Sequence, residues 1–120
     1  MNVSNQEHKG ERVYRLDRFV VPAAAREELL TRVNQTHEIL RRQPGFVQDF
    51  LLERPGEDGA TIIVTMVEWD SRETVDRVVP IVQAVHREMG FSPKETIARL
   101  GIAAEIGIYQ AIARRGLVAA

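Results

Sequence analysis

The chain has no cysteine and almost no net charge, and each lack closes off a class of function. Without cysteine there is no disulfide, thiolate nucleophile, iron–sulfur cluster or cysteine-ligated zinc. Sixteen Lys and Arg against seventeen Asp and Glu leave a formal charge of −1, so no field of either sign holds a nucleic acid or an anionic membrane. No apolar run approaches the roughly 20 residues of a membrane span. Met1 to Glu11 are polar and lack the apolar core of a signal peptide. No glycine-rich phosphate loop, dinucleotide fingerprint or nucleophile elbow is present. What remains is a chain of 120 residues, 44% hydrophobic and 28% charged, enough for one soluble domain with its own core. A cytoplasmic location is the expectation.

Periodicity divides the chain into alternating elements. Residues 1–11 carry no pattern and read as a mobile tail. Arg12 to Val21 is rich in Val, Tyr and Phe and reads as a strand. Pro22 opens a helix in which Leu30, Val33, His37 and Leu40 form an inward stripe, with Leu29 beside it, and Pro44-Gly45 ends it. Phe46 to Arg54 reads as a second strand with Phe46, Phe50 and Leu52 on one side. The turn Pro55 to Gly59 joins it to Thr61–Trp69, the strongest strand in the chain. Asp70-Ser71 caps a helix whose stripe is Val75, Val78, Val79, Val82, His86 and Met89, and Pro80 is expected to kink or split it. Ser92-Pro93-Lys94-Glu95 caps a short helix to about Leu100. Ile102 to Ile112 reads as the last strand, with Gly107 a candidate bulge. Residues 113–120 are a tail.

The order β-α-β-β-α-(short α)-β is that of an α+β, ferredoxin-like βαββαβ domain over residues 12–112, with one antiparallel four-stranded sheet and its helices on one face. The third strand is apolar on both sides: Ile62, Val64 and Met66 one way, Ile63, Val67 and Trp69 the other. A strand apolar on both faces is covered on both. The helices supply one cover, and a second copy of the chain is the economical source of the other, giving a homodimer through the sheet face.

Three stretches carry a resemblance: Leu16-Asp17-Arg18-Phe19, Arg42-Gln43-Pro44-Gly45-Phe46 and Val67-Glu68-Trp69-Asp70-Ser71. With the element order and spacing they make residues 12–112 resemble the antibiotic biosynthesis monooxygenase domains of the dimeric α+β barrel superfamily. The resemblance implies a dimer with a pocket between helices and sheet in each subunit. Some members are cofactor-free oxygenases of anthrone- or quinol-like aromatics, and others degrade haem. It also implies that Trp69 stands at the tryptophan and Asp17 at the asparagine that face the pocket of the oxygenases. A carboxylate donates no hydrogen bond unless protonated, so either the chemistry differs from that of the oxygenases or the pocket raises the pKa of Asp17. The histidine of helix two, His86, lies well beyond where the haem-degrading pattern would put it.

The candidate site follows. Asp17, Trp69 and His37 are the candidate catalytic residues, with Asp17 or His37 as proton acceptor. Phe19, Leu40, Val82 and His86 are the candidate substrate-binding residues. The plain reading of each stands beside these roles: histidines satisfied in a core, a tryptophan anchoring strand to helix, and Asp17 in an ion pair with Arg15 or Arg18. No local motif supports a two-histidine, one-carboxylate metal site from His37, His86 and Asp17, so neither metal nor other cofactor is expected. The expected activity is oxidation of a small aromatic by dioxygen. The rival readings are a non-catalytic ligand-binding or auxiliary module and, further off, haem binding through His37 or His86.

Overall fold

A computed structural model describes residues 11–112. The expected tails, 1–11 and 113–120, lie outside these residues except for Glu11. Strand β1 spans Val13–Val21, helix α1 Arg26–Arg41, β2 Phe46–Pro55, β3 Thr61–Trp69, α2 Arg72–Glu88, α3 Pro93–Arg99 and β4 Ala103–Gln110. The sheet order is β2-β3-β1-β4 with every neighbouring pair antiparallel, which is the ferredoxin-like arrangement.

Local signals set most boundaries. Pro22 leads into a 3-10 turn, Ala23–Ala25, before α1 proper begins, so the regular helix starts later than the sequence suggests. After α1, Gly45 takes φ 95°, and a Cβ there would lie 2.6–2.8 Å from Thr74 and Asp70. Glycine is required at this junction both for its backbone and for the close approach of α2. The Ser71 side chain accepts from the Thr74 amide, and Ser92 from that of Glu95, as N-caps do.

Three expectations need correction. Pro80 does not end α2, which runs unbroken from Arg72 to Glu88. Pro80 and Asp76, whose carbonyl loses its partner, both lie on the exposed face, where water replaces the missing donor. Gly107 is not a bulge. It pairs with Leu16 in an unbroken β1–β4 register, and the Tyr109 ring lies over it. The irregularity falls in β2 instead, where Phe46 pairs with Trp69 and Gln48 with Glu68. This bulge moves Phe46 to the helix side, edge-on to Trp69 at 5.8 Å, while Phe50 and Leu52 stay on the opposite face beside Met66 and Val64.

The helix side of the sheet carries two separate apolar clusters. Phe19, Val21, Ala25, Leu29, Ile63 and Ile102 form one, and Val13, Val67, Trp69, Val75 and Val78 the other. They do not merge, and what lies between them is the site.

Candidate functional site

Strand alternation sends Arg15, Asp17 and Phe19 of β1 and Thr65, Val67 and Trp69 of β3 to the face beneath α1 and α2. Over them pass the inward stripes of the two helices. The result is a cavity of about 320 Å³, within the usual range for a small-molecule site. Its walls draw on both clusters, with Phe19 and Leu29 from one and Val67, Trp69, Val75 and Val78 from the other. The core is open here because the polar residues Asp17, Thr65 and His37 stand where a third layer of aliphatic side chains would join the clusters.

All seven residues singled out in the sequence line this cavity: Asp17, Trp69, His37, Phe19, Leu40, Val82 and His86. The indole and the acid of the first strand therefore share one hollow. Their surroundings differ from expectation. Asp17 is no lone acid in a dry pocket. Arg15, two residues back on the same strand face, reaches it with Nε at 2.9 Å from Oδ1 and a terminal nitrogen at 3.4 Å from Oδ2. Both oxygens are thus engaged by a guanidinium, the plain ion-pair reading of Asp17.

The two histidines sit in unlike settings. His37 is 4% exposed, and its Nδ1 lies 2.7 Å from Asp49 Oδ2. Arg41 bonds the same oxygen, from Nε at 3.1 Å. Burial pushes the Asp49 carboxyl up, but hydrogen bonds from His37 and Arg41 outweigh it and hold the group below its ordinary value. An ionised Asp49 accepts only, so His37 Nδ1 carries a proton and donates, and in the neutral ring the lone pair is on Nε2. His86, by contrast, meets a hydroxyl: its Nε2 is 2.9 Å from Thr36 Oγ1, and its ring stands edge-on to Phe91 at 5.0 Å. Burial, then the charge of Arg32, lowers its pKa. His86 is a neutral wall residue.

Sequence reasoning missed Asp49, Thr36 and Arg32, whereas the pairing of Asp17 with Arg15 was one of its plain readings. Asp49 was legible in part, since alternation counted back from Leu52 and Phe50 places it on the other face, but no spacing rule links it to His37. Among the described residues no three histidine, aspartate or glutamate side chains gather as metal ligands, and no helix is long and apolar enough to cross a membrane.

The fold is thus a ferredoxin-like α+β domain with an apolar cavity between its sheet and paired helices, and with His37, bonded to Asp49, in the cavity wall. Residues 12–79 match the family model for antibiotic biosynthesis monooxygenase, and the chain belongs to that family. Comparison with curated proteins gives no significant match. Among solved structures, a single-residue variant of SnoaB, a cofactor-independent oxygenase from Streptomyces nogalater, aligns over 89% of this chain and 97% of its own, at 24% identity and TM-score 0.57. A dimeric ferredoxin-like protein from an uncultured marine organism aligns over 86% and 97%, at 8% identity and TM-score 0.63. MhuD with two manganese protoporphyrin IX molecules bound per active site aligns over 84% and 95%, at 22% identity and TM-score 0.59. At these identities the likeness is one of fold.

Proposed function

We propose that this chain binds a flat phenolic aromatic, anthrone- or quinol-like, in the cavity and oxidises it with dioxygen, using neither flavin nor metal. The observation that carries the reading is His37 in the wall of a mostly apolar hollow that also holds Trp69, its Nδ1 bonded to Asp49. His37 is the proton acceptor, with Asp49 holding the imidazole so that Nε2 is the basic atom. Trp69 gives the substrate ring an apolar face, and Phe19, Leu40 and Val82 exclude water. Asp17, tied to Arg15, contributes a polar contact rather than the base.

The chemistry balances without a further reductant. His37 takes a proton from the acidic carbon or phenol, leaving an electron-rich anion. One electron passes to dioxygen, the resulting radicals combine, and the new C–O bond gives a hydroperoxide once the proton returns. Loss of water across the O–O bond and the remaining C–H bond leaves a carbonyl, so one oxygen atom ends in the product and the other in water. Oxygen uptake on adding anthrone- and quinol-type compounds tests this. Wild type should consume oxygen, and the His37→Gln and Trp69→Phe variants should be slowed. A wild-type rate no greater than that of His37→Gln would end the proposal.

The same reading includes a homodimer. The sheet face away from the helices exposes Phe50, Leu52 and Tyr109, each about half exposed, around Leu16, Val64 and Met66. Continuous apolar surface of that kind marks an interface, and the ferredoxin-like neighbour described as dimeric has the same fold. Sedimentation at twice the chain's 13.6 kDa is the expected result.

A second reading, ligand binding without turnover, is favoured by the Arg15–Asp17 pair, which puts a saturated ion pair where the resemblance implies an amide. It predicts a ligand that raises Tm and is recovered unchanged.

A further inference from the structure

Among the charged side chains in the cavity wall, one cation forms no ion pair, although the Glu28 carboxylate is near enough to feel its charge. Arg15 and Asp17 neutralise each other. Arg32 of α1, half-buried in the same wall, has no such partner: among the described residues no carboxylate forms an ion pair with it. Its natural counter-charge one helical turn back is Glu28. That carboxylate is bound instead to Arg99 of α3. Arg32 donates to the neutral side chain of Gln35 at 3.3 Å, and its guanidinium lies over the Phe91 ring, 4.4 Å from the centroid. A guanidinium over an aromatic face gains a cation–π contact that uses none of its N–H donors, which stay open to a planar acceptor. The charge is felt inside, since Arg32 contributes with burial to the lowered pKa of His86. A guanidinium lying over Phe91 in a mostly apolar wall, with the nearest carboxylate bonded to Arg99, is suited to two parallel hydrogen bonds with a ligand carboxylate.

We propose that the ligand is an aromatic acid, its carboxylate held by Arg32 while its ring lies against Trp69. This rests on the reading of the cavity as a site for flat aromatics and adds to it the charge of the substrate. Arg32 is then the residue that selects acids over neutral rings of the same shape.

The test compares hydroxynaphthoate with hydroxynaphthamide, which share ring and hydroxyl and differ in charge. Trp69 is the sole tryptophan, so quenching of its fluorescence reports the cavity directly. Wild type should bind the acid about tenfold or more tighter than the amide, the order expected for one charge-assisted contact. Arg32→Gln should erase that preference while still binding the amide, which also shows that the variant is folded. Added salt should weaken acid binding to the wild type and leave the amide unaffected, a readout that needs no variant. Equal binding of acid and amide by wild type, or a preference that survives Arg32→Gln, overturns the assignment and leaves the aromatic cavity standing. Quenching by neither compound removes the aromatic cavity and the acid with it.

Discussion

Thr36 and His37 are consecutive on α1, yet they open onto two unlike regions of the cavity wall. Through His37 the helix meets the sheet, and an imidazole is fixed by an ionised carboxylate that Arg41 also holds. Through Thr36 it meets α2, and a second imidazole is fixed by a hydroxyl, an aromatic edge and a nearby positive charge. Both histidines are at most 9% exposed, and both sit on apolar helical stripes. The partner, not the burial, separates them. An anionic partner stabilises a proton arriving on the ring, whereas Thr36 and Arg32 offer no such compensation. Under the proposed function, the first region serves proton transfer and the second shape.

Four experiments press on that contrast. The largest effect is expected from His37→Gln, which should lower oxygen uptake by roughly 10²–10⁴-fold, while His86→Gln costs less than tenfold; equal losses would erase the distinction. Asp49→Asn comes next. It removes the charge that sets the His37 tautomer and should cost on the order of 100-fold in turnover, with a broadened pH profile. The third experiment follows Tm against pH. His86 has a folded pKa below its ordinary 6.5, so the unfolded chain takes the proton first, and stability, undiminished above 6.5, declines as pH falls through that value. Asp49, also lowered from its ordinary 3.8, contributes stability present above that value and lost as pH falls through its lower folded pKa. His86→Gln should therefore flatten the upper decline alone, and Asp49→Asn should lessen the lower one, to which the likewise lowered Glu28, Glu53 and Glu68 also contribute. The smallest effect belongs to Thr36→Val, which leaves His86 Nε2 without its partner: about 1 kcal/mol, or roughly 3–5 °C in Tm, with turnover nearly unchanged.

Much of the frame was legible from local pattern. The caps at Ser71 and Ser92, the stop at Pro44-Gly45 and the two-sided β3 depend on neighbours in sequence, where periodicity and turn chemistry act directly. So did the placement of Asp17 and Trp69 on one face, once the family resemblance had oriented the strands. The failures share a cause. The bulge at the start of β2 sends Phe46 and Phe50 to opposite faces, and only pairing against Trp69 and Glu68 reveals the extra residue. Pro80 looked like a break because its cost was reckoned within the chain, whereas the orphaned carbonyl faces water. Gly107 looked like a bulge because a glycine in a strand usually needs a reason, and here that reason is the Tyr109 ring lying over it.

Order of elements, helix stripes, caps and the identity of the groups able to do chemistry were determined by the sequence alone, because each arises from residues within a turn or two of one another. Which of those groups meet was decided by the tertiary structure. Asp49 reaches His37 across 12 positions of chain, and Arg99 binds Glu28 across 71. Such pairings depend on where the sheet register and the helix docking bring distant side chains, and no local spacing encodes that.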